Sequence, residues 1–237
     1  MNGSAGSPQV GSTSLTTSIA VIIPAHNEAK VIGTLVSSVR DLGYDVIVVD
    51  DGSSDGTGAL AGSAGAFVLR TGQKSGKGNA LRLGFDHALK KGYAAVVAMD
   101  GDGQHAPSDI HLFIACFQKT GAPIVNGNRM RDPGGMPFVR RVTNAFMSRV
   151  ISLICRQQIK DTQCGFRLVS AEVLKNVTLE CSDFEIETEL LVKAARQGFK
   201  VASIDIQSIY RDEKSKIRPL RDTLRFIRYI IGVAFGK

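Results

Sequence analysis

The sequence contains the stretch Val96-Val97-Ala98-Met99-Asp100-Gly101-Asp102-Gly103-Gln104-His105, an apolar run that stops at two carboxylates. A short apolar run bounded by glycine is typical of a buried strand. In an open parallel sheet, ligands bind just beyond the carboxyl ends of the strands. Asp100 and Asp102 are therefore expected at a ligand site, where two neighbouring carboxylates suit Mg²⁺ or Mn²⁺ together with substrate phosphates.

This Asp-x-Asp stretch has three other interpretations. A calcium-binding EF-hand loop requires glycine at its sixth position and glutamate at its twelfth, and here these positions hold His105 and His111, which excludes it. A phosphatase of the haloacid-dehalogenase type is disfavoured, because Gln104 stands where that type carries threonine or valine. A solvated turn without function is the third alternative, and the motifs found elsewhere in the chain disfavour it.

Short apolar runs alternate with helical patterns along the first hundred residues. Strands are predicted at 19–24, 46–49, 67–69 and 94–99, and helices at 31–39 and 76–89. Such alternation implies right-handed crossovers, and it predicts an α/β fold with a mostly parallel central sheet flanked by helices. A Walker-type phosphate loop is excluded at 72–78, because only three residues separate Gly72 from Gly76 and glycine follows Lys77.

Basic charge is concentrated in the second half of the chain. The net charge is +7, and the segments 126–160 and 211–237 carry seven and eight basic residues against one and three acidic ones. This distribution predicts an anionic partner that carries phosphate or is an acidic lipid. Nucleic acid is disfavoured, because no aromatic-interleaved basic motif is present. Four widely spaced cysteines without a Cys-x-x-Cys pair indicate reduced, cytosolic thiols, and no apolar run reaches the ~18 residues of a membrane span.

Six motifs in order resemble one known family. They are Val21-Ile22-Ile23-Pro24-Ala25-His26-Asn27-Glu28, Val48-Val49-Asp50-Asp51-Gly52-Ser53-Ser54-Asp55-Gly56-Thr57, Gly76-Lys77-Gly78-Asn79-Ala80-Leu81-Arg82, Met99-Asp100-Gly101-Asp102-Gly103-Gln104-His105, Gly127-Asn128-Arg129 and Asp161-Thr162-Gln163-Cys164-Gly165-Phe166-Arg167. The chain thereby resembles glycosyltransferase family 2, the inverting nucleotide-sugar transferases of GT-A fold, over roughly residues 18–230. It is most similar to the dolichyl- and polyprenyl-phosphate mannosyl- and glucosyltransferase branch, although that branch often has Asp-Leu-Ser or Asp-Leu-Gln where this chain has Asp102-Gly103-Gln104.

The resemblance implies a role for each matching residue. The residues that it implies in donor binding are Pro24, His26, Glu28, Asp51, Asp100, Gly101, Gln104, Arg211 and Lys216. Of these, Asp51 would contact the base or ribose, and Arg211 and Lys216 would lie in a basic loop over the site. The metal ligands are Asp100, Asp102 and Gln104. The catalytic set is Asp102, Asp161, Arg129 and Arg141, in which the arginines hold phosphates of the donor or acceptor.

The acceptor determines whether a general base is needed. A hydroxyl acceptor requires a carboxylate base, for which Asp161 is the first candidate and Glu187 the second. A phosphate acceptor is already ionised and needs only positive charge, which the basic segment 126–160 supplies. The alternatives are that Asp161 pairs with Arg167, that the acids of 184–191 form the polar face of a helix start, and that the arginines are solvated.

Three segments are predicted from composition and resemblance together. Residues 1–17 are expected to be a disordered tail, 18–210 the GT-A catalytic domain, and 211–237 a basic loop and an amphipathic helix. The helix carries an apolar stripe flanked by arginines, which suits a membrane interface. The alternatives are packing on the catalytic domain or a homodimer contact. A stripe at 142–155 is similar, and its position in the family implies a place near the acceptor and the membrane surface.

The expected function is metal-dependent, inverting transfer of a hexose from a nucleotide sugar of the GDP-mannose or UDP-glucose type. The expected acceptor is a polyprenyl phosphate at the cytosolic membrane face, reached by a cytoplasmic, peripheral enzyme that binds no nucleic acid. Transfer to a hydroxyl of a glycan is the alternative. A binding protein that has lost catalysis is disfavoured, because both Asp100 and Asp102 are present.

Overall fold

A seven-stranded sheet runs through the protein, which we describe from a computed structural model. The structure describes residues 18–131 and 133–209, together with Ile230 and Gly232. The strands are β1 (Ile19–Ala25), β2 (Asp45–Asp50), β3 (Phe67–Arg70), β4 (Ala95–Ala98), β5 (Ile124–Asn128), β6 (Arg167–Ser170) and β7 (Val201–Asp205).

The strand order is β3-β2-β1-β4-β6-β5-β7. The first four strands in this order are parallel, whereas β6 runs antiparallel to both β4 and β5, and β7 is parallel to β5. Because β6 is reversed, its first residue, Arg167, lies beside Ala98, the last residue of β4. The loop that precedes β6 therefore reaches the edge of the sheet where β4 ends.

Helices cover both faces of the sheet. They are α1 (Ile32–Asp41), α2 (Thr57–Ser63), α3 (Lys77–Lys90), α4 (Ile110–Thr120), α5 (Phe138–Cys155), α6 (Ala171–Asn176) and α7 (Ile186–Arg196), with a 3₁₀ turn at Pro107–Asp109. Alternate side chains of β1 point to opposite faces, so that Ile22 packs with α3, α5, α6 and α7 and Val21 packs with α1, α2 and α4. Every residue of β1 and β4 is buried, as expected for central strands covered on both sides.

The predicted α/β class and mostly parallel sheet are confirmed, and the four predicted strands agree with β1 to β4 within one residue at either end. The reversed strand β6 was not predicted. The predicted tail at 1–17 and the basic loop and amphipathic helix at 211–237 lie outside the described residues, apart from Ile230 and Gly232. None of the helices in the described ranges combines the length and the apolar character needed to cross a membrane.

Candidate active site

The carboxyl ends of three parallel strands place most of the predicted residues at one edge of the sheet. His26 and Glu28 follow β1, Asp51 follows β2, and Asp100 and Asp102 follow β4. This is the edge at which open α/β sheets bind ligands.

A lysine is the centre of the charge cluster at this edge. Lys77, the first residue of α3, places its Nζ 2.5 Å from Asp100 Oδ1 and 2.5 Å from Glu187 Oε1. The imidazole Nε2 of His105 lies 3.6 Å from the other oxygen of Asp100. The side chains of Glu187 and His105 are almost fully buried, at 8% and 2% exposure. We call Lys77, Asp100, Glu187 and His105 the Lys77 cluster.

The electrostatic environments of Asp100 and its neighbour Asp102 differ. Burial alone would raise the pKa of Asp100, but the charge of Lys77 and the hydrogen bond from His105 hold it far below its usual range. Burial alone would lower the pKa of Lys77, yet Asp100 and Glu187 raise it well above its ordinary value. The pKa of Asp102 is raised, first by burial and then by the negative charge of Asp100. Within the described ranges, no ion pair compensates the charge of Asp102.

This donor set fits a divalent ion. Carboxylate oxygens are the ligands that Mg²⁺ and Mn²⁺ prefer, and positive charge beside Asp102 would offset its repulsion by Asp100. The amide N–H of Gln104 donates to Asp102 Oδ1 at 3.0 Å and so fixes that side chain. No group of three histidine, cysteine or acidic residues that could hold an ion occurs in the described ranges. Asp100 and Asp102 would thus share the ion with oxygens of a ligand, and the role of Gln104 as a ligand stays a prediction.

Two glycines allow close backbone packing at the site, one against Asp100 and one against the end of β1. A Cβ at Gly165 would lie 2.7 Å from Asp100 Oδ1 and closer still to its Oδ2, and a Cβ at Gly101 would lie 3.0 Å from the carbonyl oxygen of Pro24. Contacts this short leave no room for a side chain. The absence of a side chain at Gly165 therefore leaves space for the carboxylate of Asp100. The absence of one at Gly101 lets the loop after β4 pack on the buried end of β1.

Asp51 holds a loop in this structure. Its Oδ1 accepts hydrogen bonds from the amide and hydroxyl of Ser75, both at 2.7 Å, and from the hydroxyl of Thr71 at 3.1 Å. Its Oδ2 accepts the amide of Gly76 at 2.9 Å, and its carbonyl lies 2.8 Å from His26 Nδ1. Burial raises the pKa of Asp51, but these hydrogen bonds outweigh burial and lower it. Asp51 thus fixes the start of α3, and its contact with a base or ribose stays a prediction.

The segment after β1 is fixed by backbone contacts. Pro24 is buried opposite Val49 of β2. The amide of Glu28 donates to Thr57 Oγ1 at 2.8 Å, and its carbonyl accepts the amide of Ile32 at 2.9 Å. These contacts hold the segment at the edge of the cleft, and its predicted donor contacts remain predictions.

Arg129 and Asp161 form a buried ion pair. Arg129 Nε and Nη2 donate to the two oxygens of Asp161 at 2.8 and 3.1 Å, and the amide of Arg129 also donates at 3.2 Å. Asp161 is fully buried and Arg129 is 5% exposed. Both oxygens of Asp161 thus accept from Arg129 in this structure, and its role as a general base stays a prediction. Its partner is Arg129, whereas Arg167 donates to backbone carbonyls.

The remaining predicted residues fall into two groups. Arg141 is exposed in the first turn of α5, and no hydrogen bond or ion pair within the described ranges joins it to the Lys77 cluster. Arg211 and Lys216 lie outside the described residues. The interpretation of the 184–191 acids as a polar helix face is wrong for Glu187 and Glu189, which are 7% and 1% exposed.

Sequence reasoning did not assign Lys77, His105 or Gly165 to the site. Each lies in a motif quoted above, so a signal was present. The Gly-Lys-Gly arrangement around Lys77 is not a Walker-type phosphate loop, and its resemblance to a family motif implies no particular role for the lysine. The contact with Asp100 requires α3 to begin beside the end of β4, and α7 to place Glu187 opposite, which no local pattern shows.

Comparisons with known proteins agree with this geometry. The profile described as "Glycosyl transferase family 2" matches residues 20–178. The chain is 32% identical over 207 residues to polyprenol monophosphomannose synthase of Mycolicibacterium smegmatis, covering 81% of this chain and 77% of that one. It is 34% identical over 209 residues to glycosyltransferase AglJ of Haloferax volcanii, covering 86% and 68%.

The fold is also found in a solved structure. Glucosyl-3-phosphoglycerate synthase from Mycobacterium tuberculosis, in complex with Mn²⁺, uridine diphosphate and glucosyl-3-phosphoglycerate, superposes with a TM-score of 0.71 at 21% identity, covering 93% of this chain and 80% of that one. This likeness shows the GT-A fold. Together with the profile match over most of the described catalytic core, it shows that the chain is an enzyme that belongs to glycosyltransferase family 2.

Proposed function

We propose that this enzyme transfers a hexose, with inversion, from a nucleotide sugar of the GDP-mannose or UDP-glucose type to a polyprenyl phosphate. The observation that carries the proposal is the pair of carboxylates at the end of β4, of which Asp100 is paired with Lys77 and Asp102 has no ion-pair partner among the residues that the structure describes. Similar proteins support the acceptor, since they include a polyprenol monophosphomannose synthase and an undecaprenyl-phosphate mannosyltransferase from Micrococcus luteus.

The donor side of the reaction follows from the charges at the cleft. A bound Mg²⁺ or Mn²⁺ would neutralise the negative charge that develops on the departing diphosphate. Asp100 and Asp102 would hold that ion, and the amide of Gln104 keeps Asp102 in place. Lys77 fixes Asp100 through its ion pair. The site is thus organised before the donor arrives, which favours transition-state stabilisation without reorganisation.

Replacing Gly165 with alanine tests this geometry. The added Cβ would overlap the carboxylate of Asp100, which must then move. We expect the affinity for a nucleoside diphosphate with Mn²⁺ to fall at least about tenfold, or ~1.4 kcal/mol, because a displaced Asp100 would hold the ion less well, as measured by titration calorimetry. The control is Gly33→Ala in α1, where a Cβ would meet nothing within 4 Å. Unchanged affinity in Gly165→Ala would place the donor diphosphate away from Asp100.

We favour a phosphate as the acceptor, because both predicted general bases are paired with basic side chains. Asp161 is fully buried against Arg129, and Glu187 is bound by Lys77. A hydroxyl acceptor would need such a carboxylate to take its proton. A phosphate oxygen is already ionised and attacks without a base, so that positive charge suffices for its binding. Exposed Arg141 is the residue we assign to that phosphate.

The location we propose is the cytosolic face of the membrane, by peripheral contact. Helix α5 presents Phe138, Val142 and Phe146 to solvent, at 76%, 51% and 66% exposure. These residues recur at helical spacing, and an exposed apolar stripe with arginines beside it suits a lipid interface. A second copy of the chain covering the same stripe is the alternative, and a concentration-dependent mass in light scattering would reveal it.

A matched pair of acceptors tests the proposal. Undecaprenyl phosphate is expected to accept the hexose, and undecaprenol, the same lipid with a free hydroxyl, is not. Arg141→Gln is expected to raise the KM for the lipid phosphate by about tenfold or more, since a charge-assisted hydrogen bond contributes ~1.5–3 kcal/mol. The control is Lys119→Gln, an exposed change near the end of α4. Transfer to a soluble glycan hydroxyl, with undecaprenyl phosphate inert, would favour the alternative acceptor.

A further inference from the structure

A wide groove opens beside the catalytic cleft. Its volume is about 1140 Å³, and it is bounded by α5, by the turn at 156–160, and by the ends of β5 and β7 at Asn128 and Asp205. Strand β6 separates β5 from β4, so the groove lies about 10 Å from the end of β4 at the usual strand spacing of ~4.8 Å. It is therefore distinct from the Lys77 cluster.

The charge of the groove is strongly positive. Among the described residues that line it, four are cationic, Arg131, Arg149, Arg156 and Lys160, and one is acidic, Asp205. Asp205 is already occupied by Arg131, whose Nη1 lies 2.8 Å from it. Arg149, Arg156 and Lys160 form no ion pair with any residue in the described ranges. Lys160 acts electrostatically on Asp205, so that Arg149 and Arg156 are the two cations of the groove for which the described ranges offer no carboxylate partner.

Polar contacts hold the wall of the groove in place. The hydroxyl of Ser152 donates to the carbonyl of Ile159 at 3.1 Å and accepts its amide at 3.0 Å. The side chain of Gln157 donates to the carbonyl of Phe199 at 2.8 Å and accepts the amide of Val201 at 2.9 Å. The turn that carries Arg156 and Lys160 is therefore tied to both α5 and β7. The cations project from a fixed backbone, which reduces the entropy lost on binding.

Arg156 occupies an unusual backbone position. It ends α5 with φ of 51° in the left-handed region, where glycine is the residue that fits without strain. Its side chain is exposed and has no ion-pair partner in the described ranges. Neither backbone preference nor packing accounts for an arginine here, whereas a ligand in the groove would.

The rim of the groove is apolar on the side of α5. Leu153 lines it and is 79% exposed. It continues the stripe of Phe138, Val142 and Phe146, and Arg149 and Arg156 stand at the same three- and four-residue spacing on this face. An apolar stripe that runs into a cationic groove matches a ligand with both an apolar part and a negative head.

We propose that this groove binds the phosphate headgroup of an anionic membrane phospholipid, apart from the acceptor phosphate, and that it thereby orients the enzyme on the bilayer. The guanidinium fork matches phosphate oxygens, and the exposed side chains of α5 would enter the interface beside the bound head. Such headgroup binding presupposes the membrane location proposed above, but neither the donor nor the acceptor.

Vesicle flotation of the full chain tests the headgroup site. Vesicles of phosphatidylglycerol in phosphatidylcholine are expected to bind the protein, and pure phosphatidylcholine vesicles are not. Arg149→Gln combined with Arg156→Gly is expected to weaken binding roughly thirty-fold, from the usual contribution of a basic residue near an anionic surface. Glycine suits the left-handed position, so the variant should keep the melting temperature of the wild type.

The control variant removes two positive charges from residues outside the groove. Lys90→Gln combined with Lys119→Gln changes two exposed lysines near the ends of α3 and α4, and we expect at most about a threefold loss. An equal loss in both double variants would overturn the proposal in favour of bulk charge. Tight binding of glycerol 3-phosphate, lost in Arg149→Gln/Arg156→Gly without any vesicle binding, would assign the groove to a soluble phosphate compound instead. Donor and acceptor are absent from the assay, so its outcome is independent of the transfer experiment.

Discussion

Replacing Arg129 with methionine is expected to lower the free energy of unfolding by about 3–5 kcal/mol, because it leaves a buried carboxylate without its partner. Asp161 is fully buried, and both of its oxygens accept from the Arg129 guanidinium. Urea denaturation followed by circular dichroism measures the change. This pair joins the end of β5 to the segment that follows α5. We therefore expect Arg129→Met to destabilise the fold whether or not Arg129 also binds a phosphate.

The chain offers a close control for this substitution. Arg131→Met breaks the ion pair with Asp205, in which the arginine side chain is 78% exposed, and surface pairs of this kind contribute ~0–1 kcal/mol. The double variant Arg129→Met/Asp161→Leu replaces the buried pair by apolar groups and should recover most of the lost stability. A fully stable Arg129→Met protein with weakened diphosphate binding would instead favour the phosphate-binding role predicted from the sequence.

Replacing Asp102 with asparagine is expected to reduce transfer by about a thousandfold or more, the effect of losing roughly 4 kcal/mol of transition-state stabilisation. Stability should not fall with it. The pKa of Asp102 is raised in the folded protein, so ionising this group costs stability as the pH rises from the unfolded value toward the folded one. At neutral pH, asparagine removes that cost, and the melting temperature should stay the same or increase.

Thermal unfolding with ligands separates this effect from misfolding. In the wild type, a nucleoside diphosphate with Mn²⁺ at a hundred times its Kd stabilises by ~2.7 kcal/mol, and EDTA should reduce the gain. In Asp102→Asn, the gain should no longer depend on Mn²⁺. Asp86→Asn, on the exposed face of α3, is the control and should behave as the wild type. Full turnover of Asp102→Asn in EDTA would remove the metal from the mechanism.

Local patterns in the sequence are enough to predict the first four strands, the parallel part of the sheet and the edge of the sheet that carries the aspartates. The apolar run before Asp100 predicted β4 within one residue at either end, and the same rule predicted β1, β2 and β3. The alternation of strands and helices predicts the parallel part of the sheet, because two strands connected through a helix usually lie parallel to each other in the same sheet. The position of Asp51, Asp100 and Asp102 at one edge followed from that topology alone.

The contacts between charged side chains, in contrast, depend on how distant segments of the chain pack together. Lys77 and Glu187 are 110 residues apart and touch because the start of α3 and the first turn of α7 both approach the end of β4. Gly165 reaches Asp100 because β6 runs antiparallel, and strand direction is not encoded in an apolar run of four residues. The sequence allows Asp161 to be a general base or a partner of Arg167, and in the structure its ion-pair partner is Arg129 instead of Arg167. Burial and pairing arise from distant segments that pack together, and a local pattern of residues contains neither.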